Sequence, residues 1–507
     1  MSNGTKRREA AADADAGYGH VLKYTGLLGG VQAVYMLAAL VRNKCTALLI
    51  GAAGMGLADL YTRSCDLVGN LTSFGLGFSS MRRLSAVADG GSRRAVAHEV
   101  CLVRSWVLLA ALFGLLVGLL LSPVLSLTTT GGYAAAGQYA LLAPVPAMAT
   151  VSAGELAVLK GTRQLKRLAA VSSLGALATL VLSVAFYVWL GMRGVVPVLL
   201  ASTAALLALQ LRATTRTFPY RVSLRSPRFL RRGWSMVRLG AAYIVAGFVT
   251  SAAEMTVRTF VARRASVTEV GLYAAGLMLT VTCTRFVFMA MDADFFPRLS
   301  AAVAERRRTN SAINRQVDAC VLLMTPLLLL FVTALPLVIH ILYTPAFMAV
   351  CPMVLCAVSY MFFKAVYTPV AYLPLAHAHS WLYLCVEGAY DVVFCLCVVV
   401  GFQLGGLTGA GVGLSVANLV DLLVVSMVYG RRYGFRYEGA TLRRCAVQYV
   451  LLLAGVAAAW QTDPLWHYGA GIAALLASAG LSWRLLSRET NIAARLKARL
   501  RRGKDRH

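Results

Sequence analysis

Residues 41–90 read VRNKCTALLIGAAGMGLADLYTRSCDLVGNLTSFGLGFSSMRRLSAVADG. It holds the end of one apolar block and the whole of a second, more polar block, and it then reaches the basic pair Arg82-Arg83. A block of about 20 apolar residues can cross the ~30 Å hydrocarbon core of a bilayer as a helix. Because helices satisfy their backbone groups internally, the stretch predicts two membrane-spanning helices followed by a basic link.

The rest of the chain repeats this pattern. Of its 507 residues, 59% are hydrophobic and only 14% are charged, and its mean hydropathy is +0.69. A soluble chain of this length needs far more polar surface. We therefore predict an all-α, polytopic membrane protein with about fourteen transmembrane helices. Their expected ranges are 24–48, 55–80, 100–122, 134–158, 166–191, 195–212, 234–261, 268–295, 316–341, 347–375, 380–402, 406–430, 443–461 and 466–486.

The distribution of basic residues predicts which links of the chain face the cytoplasm. The formal charge of +28 would suggest nucleic acid in a soluble protein. Here most arginines and lysines lie in alternate short links, as in membrane proteins with a positive cytoplasmic side. We therefore expect no nucleic-acid partner, and we expect both termini in the cytoplasm.

The chain also contains an internal repeat. Gly56-Leu57 recurs as Gly271-Leu272, and Arg83–Ala86 recurs as Arg298–Ala301, both at an offset of 215 residues. That offset covers six predicted helices, so the two halves should have the same orientation and enclose a central cavity. The expected parts are a flexible cytoplasmic N-terminus (1–23), an N-lobe (24–212), a basic cytoplasmic linker (213–233), a C-lobe (234–430), two further helices (443–486) and a basic cytoplasmic tail (487–507).

Neither metal chemistry nor hydrolysis is indicated by the motifs. The eleven cysteines are scattered through apolar blocks without paired CxxC spacing, so we interpret them as small core residues. The sequence lacks an HExxH or GxSxG motif and a P-loop. We therefore expect no cofactor, no metal and no enzymatic activity.

Charges inside the predicted spans are the main functional signal, because an ionised side chain at mid-bilayer is costly unless it is solvated or paired. Asp59, Arg63, Asp66 and Asn70 fall on one helical face. The other charged or polar positions are Arg42, Lys44, Glu254, Arg258, Arg285, Lys364, Glu387, Asp391, Asn418 and Asp421.

Two interpretations of these charges are open. They form ion pairs that lock helices together, such as Asp59 with Arg63, Glu254 with Arg258 and Arg285 with Asp292. Alternatively, they line a water-filled cavity whose excess cation attracts an anion, since arginine matches phosphate geometry. Their number and their presence in both halves favour the cavity.

Three stretches resemble the Wzx-type polysaccharide or O-antigen flippases of the polysaccharide transporter family, in the MOP exporter superfamily. They are residues 41–90, quoted above, VGLYAAGLMLTVTCTRFVFMAMDADFFPRLSAA (270–302) and NRQVDACVLLMTPLLLL (314–330). The resemblance implies a MATE/MOP-like fold of two six-helix lobes plus two C-terminal helices. GAAGMG (51–56) departs from relatives that more often have a proline after the glycine.

The resemblance also implies a function. Such a protein would flip undecaprenyl-diphosphate-linked oligosaccharide across the bacterial inner membrane by alternating access, for O-antigen, capsule or exopolysaccharide (lipopolysaccharide) biosynthesis. Its partners would be that lipid, the surrounding membrane lipid, H⁺ or Na⁺, and polysaccharide polymerase or assembly proteins. The implied diphosphate-binding residues are Arg42, Lys44, Arg63, Arg258, Arg285 and Lys364; the ion-coupling candidates are Asp59, Asp66, Glu387, Asp391 and Asp421. The alternative is an ion-coupled multidrug-type exporter of the same fold.

Overall fold

The computed structural model describes residues 2–88, 90–224, 227–461 and 463–490, and these form helices, turns and loops without a strand. Within the helices, the side chains of residues 2–29, 31–33, 227–230, 239, 241–243, 286, 290, 292–294 and 488–490 are not described. Residues 2–23 of the predicted N-terminal segment belong to a helix whose side chains there are not described, and most of the predicted tail 487–507 lies outside the described residues. So does the side chain of Asp292, the expected partner of Arg285.

The chain divides into two compact units, Met1–Met255 and Thr256–His507, and the division falls within one helix. The helices of the first unit, including the shared one, are α1 (Ser2–Thr72), α2 (Leu76–Ala88), α3 (Arg93–Thr130), α4 (Ala136–Leu142), α5 (Pro144–Gly161), α6 (Leu165–Leu190), α7 (Val195–Thr215) and α8 (Pro227–Arg264). A 3₁₀ turn, Gly191–Gly194, joins α6 to α7.

The second unit is also helical throughout its described part. It contains α9 (Val267–Ala302), α10 (Arg306–Thr333), α11 (Leu335–Leu342), α12 (Cys351–Ala371), α13 (Leu373–Ala376), α14 (Ser380–Tyr433), α15 (Gly439–Ala459) and α16 (Pro464–Thr490). The 3₁₀ turn Pro345–Val350 precedes α12. The expected all-α fold is confirmed.

Eleven helical segments of the described residues are long and apolar enough to cross a membrane. Three of them, Val34–Thr72, Leu165–Thr215 and Ser380–Tyr433, span 39, 51 and 54 residues. Each contains a break, at Gly51, at Gly191–Gly194 and at Gly405–Gly406 respectively. Division at these breaks would give the fourteen passes that the sequence predicts, and the exact number stays a prediction.

Glycine conformation explains where the helices turn. Gly51 has φ 62° and Gly406 has φ 56°, values that a residue with a side chain adopts only with strain. A second turn is unexpected, because the sequence predicts one helix over 55–80. The structure ends α1 at Thr72, since Phe74 and Gly75 are left-handed with φ 50° and 61°, and the chain resumes as α2.

The outward faces of these helices are apolar. Large hydrophobic side chains such as Leu120, Val181 and Leu396 are exposed at 67%, 64% and 60%. Contiguous apolar surface of this kind would aggregate in water and is expected for helices that face lipid. The protein is therefore a multi-pass membrane protein.

Candidate functional site

The second half of α1 presents the charged stripe that the sequence predicts. Asp59, Arg63 and Asp66 lie on one face, and a carboxylate oxygen of each aspartate is 3.5 Å from the Arg63 guanidinium. The shortest ion pair of Arg63, at 2.8 Å, joins it to Glu254 of α8. Arg63 therefore bridges α1 and α8.

The Arg63 guanidinium thus contacts three carboxylates. Its positive charge is compensated by them, whereas a residue that binds phosphate is expected to carry uncompensated positive charge. The pair Asp59–Arg63 of the ion-pair interpretation is present, and Glu254, which that interpretation placed with Arg258, also contacts Arg63. The four side chains are 17–47% exposed.

Beyond Arg63, α1 and α8 continue in close contact. The Asn70 amide donates hydrogen bonds to the Ser251 hydroxyl at 2.6 Å and to the Gly247 carbonyl at 3.3 Å. Next, the backbones of Gly75 and Gly240 meet: a Cβ on Gly75 would lie 2.6 Å from the Gly240 carbonyl oxygen. No other residue type fits this approach.

The contacts then pass from α1 to α2. Nη1 of Arg83 donates to the Arg232 carbonyl at 2.9 Å and to the Ser235 hydroxyl at 3.0 Å. Arg83 also pairs with the buried carboxylate of Glu99 on α3. The basic end of α8 is thus tied to the basic link that the sequence assigns to the cytoplasm.

The first half of α1 carries two of the predicted cations. Arg42 and Lys44 are both half-buried. The Arg42 guanidinium interacts electrostatically with the buried phenol of Tyr187 on α6. Among the described side chains, no carboxylate lies within ion-pair distance of Arg42. Lys44, by contrast, has at least one polar, ring or electrostatic contact of its own.

Arg258 and Arg285 are the two arginines of the second unit that the sequence predicts to bind diphosphate, and their surroundings differ. Arg258 is 2% exposed, and its guanidinium lies 5.7 Å from the centre of the buried Tyr273 ring. This burial suits a packing role. Arg285 is exposed near the middle of α9, and the described part of the chain gives it no ion pair.

Lys364 of α12 lies beside aromatic rings and carboxylates. Its Nζ is 5.7 Å from the centre of the Tyr360 ring and 5.9 Å from that of Phe288. It also interacts electrostatically with Glu387 and Asp421 of α14. The predicted cation and two of the predicted coupling carboxylates are thus brought together in one unit.

A hydrogen-bonded chain holds this cluster in place. Tyr367 donates to the Asn418 side-chain oxygen at 3.2 Å, and the Asn418 amide donates to the Tyr390 hydroxyl at 3.1 Å. Asp391 and Asp421, each 7% exposed, interact electrostatically with one another beside it. The cluster therefore combines one ammonium with the carboxylates of Glu387, Asp391 and Asp421.

Sequence reasoning missed one buried ion pair, Arg104 of α3 with Glu155 of α5. The pair is bidentate, at 2.7 and 2.9 Å, and the two side chains are 2% and 1% exposed. Arg104 also donates to the carbonyls of Phe218 and Pro219, both at 3.0 Å, and to the Thr214 hydroxyl at 3.2 Å. The only signal in the sequence is a lone charge within each of two apolar blocks.

The same guanidinium also lies 4.8 Å from the centre of the Tyr220 ring. Burial and the nearby Glu155 carboxylate raise the pKa of Tyr220, whereas Arg104 lowers it. The chain after α7 is therefore held on α3 by several contacts. Across the described residues, no group of three or more His, Cys, Asp and Glu side chains could hold a metal ion.

A family comparison identifies the chain. Residues 21–303, more than half of its length, match the family model described as polysaccharide biosynthesis protein. The chain belongs to the polysaccharide biosynthesis protein family. The matched region begins within α1 and covers α2 to α9, and the predicted resemblance is thereby confirmed. No curated protein sequence matches the chain.

Solved structures of transporters have the same fold as this family member. The lipid II flippase MurJ, in an inward closed conformation, has a TM-score of 0.66 at 10% identity, over 92% of this chain and 99% of MurJ. An inward-facing MATE transporter of the MOP superfamily has 0.64 at 14% identity, over 80% and 94%. A MOP superfamily transporter from Pyrococcus furiosus has 0.52 at 17% identity, over 80% and 93%. The expected MOP fold is confirmed.

Proposed function

We propose that this protein flips a polyprenyl-diphosphate-linked oligosaccharide from the cytoplasmic to the outer leaflet of the bacterial inner membrane. The glycan would serve O-antigen, capsule or exopolysaccharide synthesis. The observation that carries the proposal is the placement of Arg42 and Arg285. Both lie within membrane-spanning helices, and neither is ion-paired to a described side chain. A guanidinium in that position suits a diphosphate, whose oxygens it can bind in pairs.

The comparisons support the same substrate class. The family name refers to polysaccharide biosynthesis, and MurJ, whose fold this chain shares, is named as a flippase of a lipid. A diphosphate and its sugars cannot cross the hydrocarbon core unaided, because each desolvated polar group costs several kcal/mol. A cavity with fixed cations lowers that cost for the head group while the polyprenyl chain stays in lipid.

The carboxylates supply a means of resetting the cycle. Glu387 and Asp421 interact electrostatically with Lys364 in the second unit and lie near Asp391, and Asp59 and Asp66 contact Arg63 in the first. Uptake of H⁺ or Na⁺ at such a group changes its net charge and therefore its affinity for the anionic substrate. Arg63 and Lys364 would then be counterions of the coupling carboxylates, and Arg42 and Arg285 would contact the diphosphate. The termini would be cytoplasmic, and polymerase or assembly proteins would receive the product.

Alanine substitution tests the assignment. In liposomes that contain labelled polyprenyl-diphosphate-oligosaccharide, we expect Arg42→Ala and Arg285→Ala each to slow translocation about 10- to 100-fold. That range corresponds to the loss of a charged hydrogen bond of about 1.5–3 kcal/mol. Oxidation of the glycan by a membrane-impermeant oxidant measures the rate.

Arg212→Ala is the matched control, because Arg212 is exposed near the end of α7. It should translocate at the normal rate. Equal loss in all three variants, or normal rates for Arg42→Ala and Arg285→Ala, would refute the assignment. In cells, deletion of the gene should cause the lipid-linked oligosaccharide to accumulate, and its chemical analysis would identify the glycan.

The charge balance favours one alternative, an ion-coupled exporter of small cations. The Arg63 guanidinium contacts three carboxylates, and Lys364 interacts with two, those of Glu387 and Asp421. Such sites suit a cationic drug. Efflux of a cationic dye that depends on Asp421 and Glu387, together with normal lipid-linked sugar levels in the deletion strain, would favour this alternative.

A further inference from the structure

Each half of α14 carries a stripe of polar side chains at steps of four residues, and this spacing places them on one helical face. The stripe of the first half begins at the N-cap residue and consists of His379, Tyr383, Glu387 and Asp391. The stripe of the second half consists of Asp421, Tyr429 and Tyr433, with Val425 as its apolar member. The proposed function uses the carboxylates of these stripes and leaves the histidine and the tyrosines without a role.

At one end of the stripes, three rings form a cluster. The imidazole rings of His377 and His379 lie 4.4 and 5.9 Å from the ring of Tyr433, measured between centres. Nδ1 of His379 is 2.8 Å from the Tyr433 hydroxyl. Ala378, between the two histidines, is left-handed with φ 58°, a conformation that strains a residue with a side chain. The fold thus maintains this cluster against a cost in backbone strain.

From this cluster, tyrosine hydroxyls continue towards the carboxylates. The ring of Tyr429 lies 5.9 Å from that of Tyr433 and interacts electrostatically with Tyr383. Tyr383 donates a hydrogen bond to Glu387, which interacts in turn with Asp421. A helix rises by about 12 Å from the histidine to Glu387. The line of polar groups therefore reaches well into the ~30 Å hydrocarbon core.

The hydroxyl of Tyr429 indicates that this line is more than helix packing. Tyr429 is 0% exposed, and its hydroxyl has no hydrogen-bond partner among the described residues. Such a group is costly, and in proteins it is commonly satisfied by an internal water. Packing alone would be served equally well by a phenylalanine. Because this hydroxyl interacts electrostatically with both Tyr433 and Glu387, a water bound to it would connect the two.

We propose that His379 and Tyr433 form the cytoplasmic opening of a proton line through which Glu387 and Asp421 release their protons. The opening lies beside Arg431-Arg432, in a basic link that the sequence predicts to be cytoplasmic. This proposal rests on the proposed function, because an exporter driven by inward proton flow must discharge the coupling proton into the cytoplasm. It names H⁺ as the coupling ion and adds the route that the ion takes.

The groups along the line suit stepwise proton transfer. A phenol both donates and accepts a hydrogen bond, and so does a neutral imidazole. The carboxylic acid of Glu387 gives its proton to the line, the Tyr433 oxygen receives one from the line, and the Tyr433 O–H proton passes to Nδ1 of His379. The imidazolium then releases its Nε2 proton to water, since His379 is exposed and histidine exchanges protons readily near neutral pH. One proton enters the line, one leaves it, and no electron moves.

Loss of the proton has a consequence for the neighbouring helix. The charged groups that face Glu387 are Lys364 of α12 and the carboxylates of Asp391 and Asp421 on its own helix. Once ionised, Glu387 attracts the Lys364 ammonium and repels the two aspartates. Proton release therefore changes the forces between α12 and α14, and this change supplies a means of coupling the proton to a movement of helices.

Tyr433→Phe tests the line, because it removes the hydroxyl and keeps the ring that packs on the two histidines. Liposomes contain the protein, labelled polyprenyl-diphosphate-oligosaccharide and a pH-sensitive dye. We expect translocation and the accompanying proton movement to slow by about tenfold or more. Tyr468→Phe is the matched control, since Tyr468 also packs against a histidine, His467 at 4.7 Å, but lies on α16. Its rates should stay normal, and so should the melting temperatures of both variants.

Normal proton movement in Tyr433→Phe would overturn the proposal, and so would equal slowing in Tyr468→Phe. Imidazole in the buffer gives a readout that a merely structural role would not move. Because His379 is exposed, we expect dissolved imidazole to restore part of the rate that His379→Ala loses. His98→Ala, which removes an exposed histidine of α3, should have the normal rate with or without imidazole. A normal rate in His379→Ala, or a loss that imidazole leaves unchanged, would contradict the role of His379.

A measurement without substrate separates this proposal from the proposed function. In detergent, infrared absorption after a rapid drop in pH follows the protonated carboxyl band that Glu387→Gln removes. We expect this band to appear about tenfold more slowly in Tyr433→Phe and at the normal rate in Tyr468→Phe. If wild-type protein fails to translocate the lipid, the proposed function fails and the line is still judged by this band. An unchanged rate in Tyr433→Phe would overturn the line.

Discussion

At the scale of single residues, the described charges fall into two classes. Arg104 and Glu155 are fully buried and fully paired, whereas Arg63 and its carboxylates are partly exposed. Burial makes a broken pair costly, because the remaining ion has neither water nor a partner. We therefore assign Arg104–Glu155 to stability.

We predict that Glu155→Ala destabilises the protein by about 3–5 kcal/mol, because the Arg104 guanidinium would keep only its carbonyl and hydroxyl acceptors. Thermal unfolding in detergent measures the change. Glu305→Ala is the control, since Glu305 pairs with Arg308 at 54% and 78% exposure. That substitution should leave the melting temperature almost unchanged. Similar melting temperatures for the two variants would contradict the difference that burial is expected to make.

At the scale of helices, the glycines of α14 decide how closely its two halves pack. A Cβ on Gly409 would lie 1.9 Å from the Gly401 carbonyl oxygen, and one on Gly413 would lie 2.3 Å from the Cys397 carbonyl oxygen. Gly411 meets the backbone of Met353 on α12 in the same way, at 2.2 Å. Small residues permit this backbone contact between membrane helices. The predicted helices 380–402 and 406–430 divide at this turn, which Gly405-Gly406 marks.

We predict that Gly409→Ala separates the halves of α14 and lowers both melting temperature and the yield of folded protein. A clash with backbone cannot be relieved by a side-chain rotation, and overpacking of this kind typically costs about 1–3 kcal/mol. Gly405→Ala is the control, because a Cβ there meets nothing within 4 Å and its φ is −146°. Size-exclusion profiles of the two variants after mild heating provide the comparison. Equal stability would show that the hairpin tolerates expansion.

At the scale of the whole chain, the sequence predicts the helices well and their partners poorly. Apolar blocks and glycine breaks determine where the spans lie, and helical spacing shows that Asp59 and Arg63 share a face. Spacing cannot show which helix that face meets, so Glu254, which is 191 positions from Arg63, was paired with its neighbour Arg258 instead. Arg104 and Glu155 were missed because a single charge in an apolar block forms no pattern.

We predict from the basic links that residues 216–224 and 434–438 lie in the cytoplasm and that Gly131-Gly132 and Asp463 lie outside. Cysteines placed at these positions should react with a membrane-impermeant maleimide from opposite sides in intact cells and in inverted vesicles. The positive-inside bias is the physical reason. Labelling of both sets from the same side would contradict the fourteen-pass arrangement.

The contacts of Arg104 have a consequence for biosynthesis. Its acceptors are Glu155 and the chain from Thr214 to Pro219, so the last of them emerges from the ribosome 115 residues after the arginine itself. Until then, the Arg104 guanidinium on α3 lacks some of its hydrogen-bond acceptors. The first half of the protein therefore cannot finish maturing helix by helix, and its assembly is completed only when the segment that leads into the second half has been made.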